Sequence, residues 1–272
     1  MKLARVLAIG GSDSGGGAGI EADIKTITVL GGYAMTAITA VTVQDTRKVW
    51  AIEPVPPAVT RLAVEVAFQD IGVDAVKTGM LADPALIRFI AEALPPEIPL
   101  VVDPVLVSTS GTALIPDEAM RALRRDLLPR ASLVTPNLPE AAALTGMAVE
   151  TSAGIRAAGA ALRGMGAGAV LIKGGHADGD ILTDTLITAE GVREFSLPRV
   201  ATRHGHGTGC ALASAIATGL GQGLRLAEAV ERAKHFVRAA LAAAPGYGAG
   251  NGPIGHLAGA GLPEGLIWHS IP

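Results

Sequence analysis

Short apolar runs and longer helix-spaced patterns alternate along the chain. Val6 to Ile9 is an uninterrupted apolar run of the buried-strand type. Ile20, Ile24, Ile27 and Leu30 then recur at helical spacing up to Gly31. Ala34 to Val43 reads as a second strand. Pro57 to Ile71 reads as a helix with Val59, Leu62 and Val66 on one face, and Asp74 to Lys77 as a strand. Asp83 is a good N-cap, and Pro84 suits the first helical position behind it. Leu100 to Val102, Ser132 to Thr135 and Val170 to Lys173 are further β-rich runs, and helices open at Gly207 and at Leu226, the latter running to Ala244. Such alternation predicts a three-layer α/β fold, a mainly parallel sheet with helices on both faces. No linker or repeat divides the chain, so residues 1–272 are expected to form one domain.

The polar residues gather where strands should end. Gly10 to Gly19 follows Ile9, Gln44 and Asp45 follow Val43, and Lys77-Thr78-Gly79-Met80 closes the next strand. Asp103-Pro104, Thr135-Pro136-Asn137 and Lys173-Gly174-Gly175-His176 follow three more. Open α/β sheets bind ligands beyond the carboxyl ends of their strands, so these clusters mark one site.

Composition narrows the chemistry. Hydrophobic residues make up 49% of the chain, aromatic residues 3% and charged residues 17%. The core must therefore be Ala, Val, Leu and Ile, as suits helices on a parallel sheet. The net charge of -3 and the lack of a basic stripe argue against nucleic acid as a partner. Cys210 is the single cysteine, which excludes an intrachain disulfide and fits a reducing compartment. The N-terminal apolar run is too short for a signal-peptide core, and no run reaches the length of a membrane span. A cytoplasmic protein without membrane contact is expected.

Gly17-Ala18-Gly19-Ile20-Glu21-Ala22 matches the dinucleotide pattern G-x-G-x-x-A, with Asp45 near the place of a ribose-binding acid. Against a nicotinamide oxidoreductase stand the seven residues between Ile9 and Gly17 and the lack of a hydride-transfer constellation. His204-Gly205-His206-Gly207-Thr208-Gly209-Cys210 precedes an Ala-rich helix, and glycine amides at a helix N-terminus form an anion hole suited to phosphate. Cys210 falls in the first turn, where a thiolate is expected to be stabilised and to serve as a base. His204, His206 and Cys210 are also zinc-ligand types, but no fourth ligand accompanies them. In Asn137-Leu138-Pro139-Glu140, Glu140 should sit in the first turn of a helix as an exposed-edge carboxylate able to hold Mg²⁺. Neither a Walker A loop nor a G-x-S-x-G elbow is present.

Gly11-Ser12-Asp13-Ser14 with Gly16 to Gly19, Ala37 to Gln44, Lys77 to Leu81, Asp103-Pro104-Val105, Thr135 to Ala141, Lys173 to His176 and His206 to Cys210 occur together, in order, over nearly the whole chain. This set resembles the hydroxymethylpyrimidine/phosphomethylpyrimidine kinases of thiamine biosynthesis. The resemblance implies a ribokinase-like fold, usually a homodimer, that uses ATP and Mg²⁺. It implies that Gly11, Asp23, Gln44, Met80 and Val107 line the pyrimidine site and that Gly207, Thr208, Gly209 and Cys210 form the catalytic anion hole. Lys173, with Thr208, would approach ATP, and Asn137, Glu140 and Asp103 would serve the metal. Some close relatives phosphorylate pyridoxal, which leaves a pyridoxal kinase as the alternative. The sequence departs from the family pattern at Gly15, at Glu21, at Asp45 and at His204-Gly205. Asp45 is expected to place negative charge near the substrate pocket and so to disfavour the phosphorylated intermediate.

Overall fold

The computed structural model describes residues 3–106, 115–175 and 179–258. Its strands are β1 (Ala4–Asp13), β2 (Gly32–Gln44), β3 (Val49–Pro54), β4 (Ala75–Thr78), β5 (Leu100–Val102), β6 (Leu133–Val134), β7 (Val170–Ile172), β8 (Ile181–Ile187) and β9 (Val192–Pro198). They form one sheet in the order β3-β2-β1-β4-β5-β6-β7-β8-β9. From β2 to β7 every pairing is parallel, and β3, β8 and β9 add antiparallel edges.

Alternation along the strands builds two cores. Leu7 and Ile9 of β1, Val76 of β4, and Leu100 and Val102 of β5 face one layer; Val6, Ala8, Ala75 and Val101 face the other. The first layer is covered by α2 (Pro57–Val66), α3 (Pro84–Ala93), α4 (Asp117–Ala122), α5 (Leu138–Thr145) and α6 (Ser152–Gly164). The second is covered by α1 (Gly19–Val29), α7 (Thr208–Gly221) and α8 (Leu226–Ala242). The expected three-layer fold is the observed one.

Helix α7 shows why so few aromatics suffice. It lies under α8 and against the sheet, and ten of its fourteen residues are buried. A Cβ on Gly219 would lie 2.9 Å from the Ala229 Cβ, and one on Gly221 3.0 Å from the Ala4 Cβ. Small side chains let the backbones approach, and close packing replaces bulk.

Most predicted elements recur, with three corrections. Strand β1 runs four residues past Ile9, because Gly11 to Asp13 pair with Ala40 to Thr42 of β2. The Pro57 to Ile71 helix is α-helical to Val66 and ends in a π-turn, Ala67–Ile71. Its Val59, Leu62 and Val66 are exposed, while Thr60 and Val64 face the core. Strands β3, β8 and β9 have no counterpart in the apolar pattern. In β9 only Phe195 is buried, so no periodic signal was there to read.

Candidate active site

The carboxyl ends of the parallel strands open into one elongated cleft of about 710 Å³. It contains Gly11, Asp23, Gln44 and Met80 near one end, Asp103, Asn137, Glu140 and Lys173 in the middle, and Gly207, Thr208, Gly209 and Cys210 on the facing wall. Leu182, Leu197, Val237 and Leu241 give the far end an apolar lining. Val107 lies outside the described residues.

The glycine loop is organised by Asp13 at the end of β1. Its Oδ1 accepts the Gly15 amide at 2.9 Å, and its Oδ2 accepts the amides of Gly17 at 3.0 Å and Ala18 at 2.8 Å. The same Oδ2 lies 2.9 Å from His206 Nε2. Burial would raise the Asp13 carboxyl, but the bonds from His206, Ala18 and Gly15 outweigh it and hold the carboxyl below its ordinary value. These amides are already satisfied, so the loop offers no cradle for a pyrophosphate, and the G-x-G-x-x-A match is not a dinucleotide site. Glu21 bonds the Ser12 hydroxyl at 2.8 Å and the Asp13 amide at 2.6 Å, a pair of donors that suits an acceptor-only carboxylate.

The facing wall begins where Gly207, at φ +86°, caps α7. A Cβ there would sit 1.8 Å from the Gly17 carbonyl oxygen, so only glycine lets the two loops meet. Thr208 Oγ1 donates to the Gly205 carbonyl at 3.0 Å. The amides that follow open toward the cleft at the positive end of a buried helix.

Under Cys210 lies a buried pair. Lys77 Nζ donates to both Asp23 oxygens at 2.9 and 2.8 Å, and the Ser214 hydroxyl donates to Asp23 Oδ1 at 2.7 Å. Both ionic side chains are 1% exposed. Asp23 thus borders the cleft from below, with its carboxylate engaged by Lys77. Burial would lower the Lys77 ammonium, but Asp23, together with Cys210 and Asp103, raises it and keeps it charged. The expected thiolate at Cys210 is not favoured: burial, reinforced by the Asp23 and Asp103 carboxylates, pushes the thiol up to about 11 despite the pull of Lys77.

A second charged group fills the middle. Lys173 Nζ lies 2.8 Å from Asp103 Oδ1 and 3.6 Å from Glu140 Oε2. The Thr135 hydroxyl adds a bond to Asp103 Oδ1 at 3.1 Å. Burial works against the Lys173 charge, but Asp103 and Glu140 raise its pKa above the ordinary lysine value. Asn137 and Glu140 form a capping box: Asn137 Oδ1 accepts the Glu140 amide at 2.8 Å, and Glu140 Oε2 accepts the Asn137 amide at 2.7 Å. Glu140 is therefore in the first turn, as expected, but it is 8% exposed rather than an exposed-edge acid. Burial pushes its carboxyl up against the pull of Lys173.

Among the described residues no three His, Cys, Asp or Glu side chains gather around a common point. His204 Nδ1 instead accepts the Gly252 amide at 3.2 Å, and His206 serves Asp13, so neither belongs to a zinc centre. The acids present do fit Mg²⁺ arriving with a nucleotide. Asp103 Oδ2 faces Gly209, where a Cβ would lie 3.5 Å away, and Glu140 retains its Oε1. Mg²⁺ commonly keeps several waters and uses one or two carboxylates together with substrate phosphates.

Two residues of the cleft escaped the sequence reading. Asp184, in β8, accepts the Gly174 amide at 2.8 Å and pairs with Lys234 Nζ at 2.8 Å, fixing the turn after Lys173. The signal lay in a lone acid inside an apolar hairpin strand. Asp45, by contrast, is a turn residue: its Oδ1 accepts the Arg47 and Lys48 amides, which with Trp50 lower its carboxyl to about 2. Its side chain stands in the turn that follows Gln44, outside the cleft wall.

A parallel α/β sheet with an amide anion hole, a buried lysine and two acids at its carboxyl edge defines a small-molecule phosphotransferase of the ribokinase-like fold. A sequence model described as phosphomethylpyrimidine kinase matches residues 13–255, and the chain belongs to that family. The chain is 45% identical to the hydroxymethylpyrimidine/phosphomethylpyrimidine kinase of Streptomyces coelicolor, over 92% of this chain and 93% of that protein. It is 46% identical to the thiamine biosynthesis bifunctional protein ThiED of Geobacter sulfurreducens over 93% of this chain, but spans only 52% of that protein. Among solved structures, the phosphomethylpyrimidine kinase of Clostridium difficile superposes with a TM-score of 0.76 at 38% identity, covering 86% of this chain and 97% of that one. An ADP complex of Bacillus subtilis pyridoxal kinase superposes with a TM-score of 0.88 at 33% identity, covering 94% and 98%.

Proposed function

We propose that this chain transfers the γ-phosphoryl group of MgATP to 4-amino-5-hydroxymethyl-2-methylpyrimidine, and then phosphorylates the monophosphate, for thiamine biosynthesis. One observation carries the reading: the Gln44 and Met80 end of the cleft and the apolar end at Val237 and Leu241 flank a common anion hole and charged centre. The first end takes the pyrimidine and the second the adenine, so that the γ-phosphoryl group falls between them. Gln44 brings a primary amide to that end of the cleft, a group able to hydrogen-bond an aminopyrimidine edge. Gly11 packs closely beside it: a Cβ there would lie 2.8 Å from the Met80 Cε and would make that flexible side chain shift.

In the transfer the hydroxymethyl oxygen forms a bond to the γ-phosphorus as the bond to the β,γ-bridging oxygen breaks, and the hydroxymethyl proton is released. Charge spreads over the phosphoryl oxygens, and positioning with charge neutralisation supplies most of the catalysis. The Gly207 to Cys210 amides receive that charge, and Lys173, held by Asp103 and Glu140, faces the same region. Asp103 and Glu140 would hold Mg²⁺ through its waters, and the bound ion would neutralise phosphate charge. Asn137 acts by fixing Glu140. Cys210 shapes the anion hole as a protonated thiol rather than standing ready as a thiolate.

A pyridoxal kinase is the second reading, favoured by the TM-score of 0.88 to the Bacillus subtilis enzyme. ADP release measured with hydroxymethylpyrimidine, its monophosphate and pyridoxal separates the two. The pyrimidines should turn over with the higher kcat/KM, and preferred turnover of pyridoxal would reverse the assignment.

The expected homodimer finds support in an exposed sheet face. Val41 and Val43, two apart on β2, are about half exposed, and Ala51 pairs across from Val43 on the edge strand β3. Such a surface suits a second copy of the chain. The single cysteine fits a cytoplasmic setting. Among the described residues no helix is long and apolar enough to cross a membrane.

A further inference from the structure

His206 Nε2 stands between two groups, 2.9 Å from Asp13 Oδ2 and 2.8 Å from the Gln44 side-chain nitrogen. Asp13 Oδ2 already accepts the amides of Gly17 and Ala18, and as a carboxylate it can only accept. His206 Nε2 must therefore carry a proton directed at Asp13. A protonated ring nitrogen has no lone pair left for an amide NH₂, so two N–H groups would oppose each other at hydrogen-bond distance. Half a turn of the Gln44 amide exchanges its two near-isosteric ends and removes the conflict. The carbonyl oxygen then shares the Nε2 proton in a three-centre bond. The ring packs closely on Gly17, where a Cβ would lie 2.5 Å from its Cδ2, and the His206 amide is bonded to the Gly252 carbonyl at 3.1 Å.

We infer that His206 is a positioning residue for substrate recognition: it holds the Gln44 amide so that the NH₂ group, rather than the carbonyl oxygen, is the end turned into the cleft. The inference rests on the pyrimidine reading for its ligand. A substrate ring must then present an acceptor atom opposite Gln44, as a pyrimidine ring nitrogen does, and a ring presenting an N–H donor there is rejected. Asp13 thus links the glycine loop to specificity, since it sets the proton that sets the amide.

Two measurements on the full chain test this. In the ligand-free protein, ¹⁵N-resolved histidine spectra should show that the Nε2 atom of His206 carries a hydrogen, with the signal assigned by its loss in H206Q. An unprotonated Nε2 overturns the inference. In kinetics, H206L keeps bulk but removes the donor, and should raise the pyrimidine KM by roughly tenfold or more while the ATP KM moves less than about twofold. H206Q carries two N–H groups, one for Asp13 and one for Gln44, and should restore most of the loss. An unchanged pyrimidine KM in H206L, or an H206Q as impaired as H206L, overturns it. Calorimetry of the parent with hydroxymethylpyrimidine runs alongside. If the parent does not bind it, the substrate reading fails, while the nitrogen spectra still decide the role of His206.

Discussion

At Cys210 two effects of opposite sign meet. The helix N-terminus and the Lys77 ammonium favour a thiolate; burial and the Asp23 and Asp103 carboxylates oppose it, and they prevail, with the thiol pushed up to about 11. A raised pKa in the folded state means that the proton stabilises the fold below the unfolded value near 8.5, and that this contribution is lost as pH climbs toward about 11. Iodoacetamide should accordingly alkylate Cys210 on the order of a few hundredfold more slowly at pH 7.5 than an unperturbed thiol, with a rate still rising above pH 10. A rate that reaches half its maximum near pH 8.5 and levels off by about pH 10 would show an ordinary thiol. Cys210→Ala should lose less than about tenfold in the single-turnover chemical step, against the 10²–10⁴ of a general base. The chain order revealed that Cys210 begins a helix. It could not reveal that Asp23 and Asp103, far away in sequence, approach the same atom. The Asn137 and Glu140 capping box lies at the other extreme: both partners sit within one turn, so the sequence showed Glu140 in place, and only its burial came from packing.

Among the elements, those with local signals were legible. Asp83 caps α3 by accepting the Leu86 amide at 2.8 Å, with Pro84 behind it, as the sequence indicated. The parallel strands were legible because burial on both faces leaves a continuous apolar run. The antiparallel strands β3, β8 and β9 were not: β3 and β9 lie at the sheet edges with most of their residues exposed, and β8 is too interrupted by Thr and Asp to read as an apolar run. The junction between the glycine loop and α7 depends on one backbone geometry. Gly207→Ala would place a methyl against the Gly17 carbonyl and force a left-handed φ on alanine. It should cost at least about 2 kcal/mol, lowering the thermal midpoint by roughly 4 °C or more, and abolish most turnover. A melting curve matching the parent would show that the loops can separate freely.

Across the whole molecule, the exposed face of β2 and β3 sets the expected assembly. Val43→Lys puts a charge at its centre, opposite Ala51. Light scattering should show the parent as a dimer and the variant shifted toward the 27.4 kDa of a single chain. A parent that is already monomeric would remove the dimer, and leave the lining of the cleft by residues of one chain untouched.

The sequence by itself determined the layers, the strand ends at which chemistry gathers, and the family, because periodicity, caps and ordered motifs are properties of neighbouring residues. Only the tertiary structure decided which charges share an environment. Asp13 turns out to satisfy the glycine loop and His206 together, Lys77 to neutralise Asp23 beneath Cys210, and Asp45 to close a turn away from the cleft. Hydrogen bonds and pKa values follow distance and burial in space, and in a sheet ordered β2-β1-β4-β5-β6-β7 those distances join segments that the chain keeps far apart.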